Sequence, residues 1–385
     1  MDLKDALMQT RIKIESHKSC VDPINDLDET GLALIHHAAI LGKADSLQHL
    51  VDVGADVNVK DRTNRTPLAL TANRGRVDCM RVLILASCNV NQREHAGGTA
   101  LHAAARHCHP DAIRLLLSHG ARSSIKDVKG MTPLHRLATR PCERTLRAAE
   151  ALLSAADIDI EALEGTYGDS AATLAITFRN TSLLQYLVSK GASLALVDIH
   201  MRGILHMGAA CAIAETLLYL HGLELSAPSA SIDTELIDNQ GRTAWDTLVF
   251  FIKAPSSMIR GQQRRPDQHE ISAFILLYQG IRDRNLEHWI SALEGALDAL
   301  TLGDTDHAAN LVSGIAKLKT QCHNHSAAGY YRGMQKEIQA RGREAVGILE
   351  EEVETLKAEL AHSLQDELAV VLRQVNAAGS ENTQH

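Results

Sequence analysis

Residues 94–127, EHAGGTALHAAARHCHPDAIRLLLSHGARSSIKD, decide how the whole chain is read, because their internal pattern recurs at a fixed spacing. At their centre stands Thr99-Ala100-Leu101-His102. Thr66-Pro67-Leu68 lies 33 residues earlier, Ala33-Leu34-Ile35-His36 another 33 earlier, and Thr132-Pro133-Leu134-His135 33 later. A period of this length marks an array whose units bury their apolar faces against their neighbours. Other positions keep the register. Gly31, Asn64, Gly97 and Gly130 each stand two residues before a motif, and all are residue types that accept the positive φ of a tight turn. Gly54, Gly120 and Gly191 follow a motif start by 21 residues, and Asp61, Glu94, Asp127 and Asp198 follow by 28.

Between these turns the pattern is helical. Ala112, Ile113, Leu115, Leu116 and Leu117 make an apolar stripe, and Gly120 stands where a left-handed residue ends a helix. Aromatic residues are only 3% of a chain that is 45% hydrophobic. That composition suits narrow layers of alanine and leucine between helices, not a sandwich or barrel. Ala38-Ala39, Ala72 and Ala103-Ala104-Ala105 allow close stacking. Glycines, acids, motif and period together resemble the ankyrin repeat over residues 28–251. The resemblance implies a turn, two antiparallel helices and a return loop per repeat, with the third repeat's helices near 100–108 and 110–118. The expected fold class is all-α: an ankyrin-repeat solenoid of about seven repeats, followed by a helical domain with a long helix of coiled-coil pattern. Later motif starts at Ser170, Gly203 and Thr243 are spaced 38, 33 and 40 residues from their predecessors. The extra residues are expected in loops, near 141–147 or 157–165 and at 225–231.

The expected organisation is an N-terminal capping segment (1–27), the repeats (28–251), a linker (252–266), a helical domain (267–375) and a disordered tail (376–385). Two prolines and Arg260, Arg264 and Arg265 give the linker its character, and few contacts are expected across it. Asp267 and Asp304 are placed to cap helices. Val353, Leu356, Leu360, Leu364, Leu368, Val371 and Val375 are spaced by three or four, a heptad-like stripe with one stutter, and residues 332–378 are a candidate for self-association as a coiled coil.

Chemistry is sparse. His36, His102, His135 and His206 occupy one motif position, and in the ankyrin family that histidine bonds within the turn and to the next repeat. Ala69 and Thr173 stand there in repeats two and five and should lose the bond. His107-Cys108-His109 and the run Cys322 to His325 lack the paired spacing of a zinc site. Ala273 stands where a metalloprotease motif starting at His269-Glu270 needs its second histidine. No nucleophile elbow, phosphate loop or dinucleotide fingerprint occurs. Catalytic residues, metals and cofactors are therefore expected to be none, an enzyme built on the helical domain being the least favoured alternative. Seven scattered cysteines without a CxxC are expected to be free, mostly buried thiols. With no secretory signal at residues 1–20 and no membrane-length apolar run, the expected address is intracellular, cytoplasmic or nuclear.

In the ankyrin family partners bind the turn tips and the exposed face of the inner helices. Carried over, those places are Glu29, Arg62, Arg65, His95, Val128, Lys129 and Met131 at the tips, and Asn73, Arg74, Arg106, His107, Thr139 and Arg140 on the helices. The charges there are nearly all positive. Residues 58–144 hold 15 lysines and arginines against six acids, or +9, while the whole chain is −8 and the remainder therefore −17. The expected function is a non-enzymatic adaptor or scaffold docking an acidic protein partner on Arg62, Arg65, Arg74, His95, Arg106, His107, Lys129 and Arg140 of repeats two to four. Direct nucleic-acid binding is disfavoured by net charge. The runner-up is a transcription-associated regulator working through a DNA-binding partner.

Overall fold

The computed structural model describes residues 24–211, 214–226, 232, 234–253, 266–321, 325–361, 369–370 and 373. Every regular element among them is a helix. By packing, the chain divides into two compact units, Met1–Ala175 with Ser182–Ala192, and Ile176–Thr181 with Ser193–His385. None of the described helices is long and apolar enough to cross a membrane.

The first unit is built from helix pairs: α1 (Leu34–Leu41) and α2 (Ala44–Asp52), α3 (Pro67–Arg74) and α4 (Val77–Leu85), α5 (Ala100–Arg106) and α6 (Pro110–Ser118), α7 (Pro133–Ala138) and α8 (Thr145–Leu153). Local chemistry sets their ends. Thr66 and Thr132 accept hydrogen bonds from the backbone N–H groups of Ala69 and His135, and Pro67, Pro110 and Pro133 sit in the first turn, where no N–H partner is lost. Gly31, Asn64, Gly97 and Gly130 all take positive φ, as the turn requires. Inner helices α1, α3, α5 and α7 stack in one layer and outer helices in a second. Leu47, Leu68, Leu83, Leu101, Ile113, Leu116 and Leu134 fill the space between layers and are fully buried.

Helices α9 (Ala171–Thr177) and α10 (Thr181–Ser189) follow. The extra residues of this interval split, about two preceding α8 and about three lying between α8 and α9. Farther on, α12 runs through 226, so some of the residues expected to form a loop at 225–231 extend a helix instead.

The second unit contains α11 (Ile204–Cys211), α12 (Ala214–Ser226), α13 (Ala244–Lys253), α14 (Gln268–Leu302), α15 (Thr305–Gln321), α16 (His325–Arg341), a 3-10 turn (Gly342–Ala345) and α17 (Val346–Ala361). Asp267 and Glu270 form a reciprocal capping box at the start of α14, with bonds of 2.9 and 3.0 Å. Asp304 caps α15 by accepting from the His307 N–H. The expectation of few contacts across 252–266 is not met. Helix α14 packs along α12. The Tyr278 hydroxyl donates to the Thr234 carbonyl, Asn285 Nδ2 donates to that of Ile232, and Trp245 lies 6.0 Å from Tyr278, ring to ring. Lys319, 1% exposed, sets its ammonium 2.6 Å from Glu235 and 3.3 Å over the Trp289 ring.

The C-terminal stripe also departs from expectation. Gly342 takes φ +55° and the 3-10 turn breaks the helix there, so no single helix runs through 332–378. Leu349, Val353 and Leu356 are buried in one core with Trp289, Leu293 and Ile315, and Leu360 packs against it. That part of the stripe is used inside the chain. Leu364, Leu368, Val371 and Val375 lie outside the described residues.

Candidate partner-binding surface

The turns carry a repeated clasp. Asp28, Asp61, Asp127, Asp198 and Asp238 each accept hydrogen bonds through Oδ1 from the backbone N–H groups two and four residues on. Their second oxygens take a base. Arg65, Arg202 and Arg242 reach Asp61, Asp198 and Asp238 from the residue before the motif, at 2.8, 2.8 and 3.1 Å. His37 and Arg136 reach Asp28 and Asp127 from the first turn of the inner helix, both at 2.7 Å. In repeat five Glu164 accepts instead from the N–H groups of Thr166 and Tyr167. Hydrogen bonding holds the Asp28, Asp61 and Asp238 carboxyls below the usual range although burial opposes it.

The motif histidines join one repeat to the next. Nδ1 of His36, His102, His135 and His206 accepts from the backbone N–H of the motif's first residue. Nε2–H therefore donates across, to the carbonyls of Arg65, Met131, Asp169 and Arg242, at 3.0–3.2 Å. Burial lowers the pKa of all four, His102 to about 4, so the imidazoles are neutral. The tips of the first unit are further tied by His95 N–H to Thr63 O, Val128 N–H to Ala96 O and Gly165 N–H to Lys129 O.

Against this frame the sequence-selected residues separate into kinds. Arg62, Arg74, His95, Arg106, Lys129 and Arg140 are exposed, and His107 is half-buried. Among the described residues, none of these arginines nor Lys129 has an acidic partner within ion-pair distance. Arg65 belongs to the clasp, its guanidinium spent on Asp61. Met131 is not at a tip: it is buried, and its carbonyl receives His102. Val128, 69% exposed, is. His107 stacks on His109, and burial, with Arg140 and Arg106 close by, lowers its pKa.

The cysteines need a correction. Cys79, Cys88 and Cys211 are buried thiols outside any disulfide, but Cys108 and Cys142 form a disulfide between repeats three and four. Their separation of 34 residues gave no motif; the layer-to-layer register brings them together. Cys20 and Cys322 lie outside the described residues. Sequence reasoning also missed a cavity of about 180 Å³ between tips and inner helices, lined by Arg65, Ala69, Glu94, Gly98, Ala103, Arg106 and Arg136 among others. The available signal was the lengthened acid, Glu94, where five of the other turns carry aspartate and only repeat five also carries glutamate.

Residues 35–127 match the family model described as ankyrin repeats, in three copies. The chain thus carries ankyrin repeats, and these support a role in protein–protein interaction. No curated protein matches the chain. The matched segment presents the exposed guanidinium groups of Arg62, Arg74 and Arg106 from its turns and inner helices.

Proposed function

We propose that the concave surface of repeats two to four docks an acidic segment of a protein partner, and that the chain works as a non-enzymatic adaptor. One observation carries this reading: Arg65, Arg136, Arg202 and Arg242 are each matched to an acid of their own repeat, whereas Arg62, Arg74, Arg106 and Arg140 are exposed and unmatched. The first group serves the fold, and the second is available to a partner. An arginine fork binds carboxylates with two parallel bonds, and Arg74, Arg106 and Arg140 stand at or just beyond the ends of successive inner helices, with Arg62 at a turn. The local excess of +9 adds attraction at a distance, which raises association rates and weakens with salt.

The test replaces Arg62, Arg74, Arg106 and Arg140 together by glutamate and measures a fluorescein-labelled decaglutamate peptide by anisotropy. Arg65 is left in place, because Arg65→Glu would set a carboxylate against buried Asp61. Wild type should bind, more weakly at 200 than at 20 mM salt, and the quadruple variant should keep its circular dichroism while losing binding. Equal binding by a folded quadruple variant would overturn the reading.

A further inference from the structure

The clasp that recurs along the repeats is incomplete in repeat three. Glu94 makes none of the side-chain bonds to its turn that Asp61 and Asp127 make, and among the described residues no base is paired with it. The two positions that supply the base elsewhere hold Gly98 and Ala103. The place of the linking histidine in the preceding repeat is taken by Ala69. Three truncations coincide, and the cavity of about 180 Å³ is where they meet. Its walls carry Arg65 and Arg136, whose charges are matched by Asp61 and Asp127, leaving Glu94 as the acid without a counterpart. Burial pushes the Glu94 carboxyl above its ordinary value, with Asp61 adding to the rise and Arg65 and Arg106, which stand at the same cavity, opposing it from longer range.

We infer that this cavity is a socket for an arginine side chain of the docked partner, whose guanidinium completes the clasp on Glu94. The chain itself shows the guest chemistry. Where the base is present it is a guanidinium in four turns and an imidazole in one. An incoming arginine would occupy the space that Arg65 fills in repeat two. The inference rests on the acidic-segment reading and sharpens it: the partner is an acidic segment with one arginine placed over repeat three. Arg74 and Arg140 then steer the segment, while Glu94 selects it.

Two peptides separate the two statements, one with five glutamates on each side of a central arginine, the other with glutamine at the centre. Charge steering alone favours the glutamine peptide, which is more negative by one unit. The socket predicts that wild type prefers the arginine peptide roughly tenfold or more, as a charge-assisted hydrogen bond supplies. Gly98→Arg should fill the socket from within. Gly98 has an ordinary φ, and a Cβ there meets nothing closer than His102 Cβ at 3.6 Å, so the side chain is sterically admitted. The variant should melt no lower than wild type and reverse the preference, although it adds a positive charge to the surface. Glu94→Gln should abolish the preference as well. Arg74→Glu with Arg140→Glu should weaken both peptides and leave their ratio standing. A wild type without preference for arginine, or a preference that survives Gly98→Arg, overturns the socket alone. Failure of both peptides to bind wild type overturns the socket together with the acidic-segment reading.

Discussion

At the residue scale the motif histidines set the pH response of the fold. Each is buried as a neutral imidazole bridging two backbones, with a pKa below the ordinary 6.5 because burial penalises its charged form. The unfolded chain therefore takes up protons first on acidification. Stability from these residues is fully present above about pH 6.5 and is lost as pH falls toward the folded value, about 4 for His102. The turn carboxylates respond in a lower window, since Asp61 and Asp238 have pKa values below the ordinary 3.8. Thermal melts from pH 7.5 to 4.5 should show a steady fall in midpoint. His102→Gln should lower the midpoint at pH 7.5 and flatten that slope; a slope identical to wild type would remove His102 from the account. The recurrence of the histidine was readable from spacing, and its bridging role followed from the family resemblance. Ala69 marks the reverse case, because an absence in the motif says nothing about the space it leaves.

At the element scale, the C-terminal stripe shows how one periodicity serves two packings. Apolar residues every three or four positions suit a partner helix, yet they suit the chain's own core equally, and Leu349, Val353 and Leu356 meet α14 and its neighbours. Gly342 explains why one long helix does not form: a left-handed residue ends the α-helical ladder at α16 and turns the chain. Leu356→Lys would place an ammonium at a site 4% exposed in wild type. The expected outcome is a loss of about 3 kcal/mol or more, in urea unfolding. Light scattering should report the same mass for the variant as for wild type. Dissociation of an oligomer with unfolding unaffected would restore the coiled-coil reading of 332–378.

At the scale of the whole molecule, packing in the second unit binds the last repeats to the helices beyond residue 266. Trp245 and Phe251 are buried, Tyr278 and Asn285 bond to the carbonyls of Thr234 and Ile232, and Lys319 pairs with Glu235. A chain ended at Phe251 would expose an apolar face that α14 covers along α12, and terminal repeats without a polar outer face associate. Such a truncation should aggregate or unfold with lower cooperativity than the full chain. A soluble, cooperatively folding product would show that α14 is dispensable to the repeats. The proline-bearing linker encouraged the opposite expectation, because composition reports local stiffness and polarity and is silent on what the next helix covers.

Legible in the amino-acid sequence alone were the 33-residue period, the positive-φ turn residues, the Asp267 and Asp304 caps and the all-helical class, while the role of the four histidines followed from the resemblance that this spacing carries. Each recurs at fixed offsets from a motif or a cap, so spacing carries it. Tertiary structure alone decided the rest. It paired Cys108 with Cys142, turned Arg65 inward to Asp61 while leaving Arg74, Arg106 and Arg140 unmatched, and laid α14 along α12. Those outcomes depend on which side chains the packed chain brings to one place, within a repeat as for Arg65 and Asp61 or between layers as for Cys108 and Cys142. A one-dimensional pattern does not specify that, because it counts residues along the chain and the layers fold them across it.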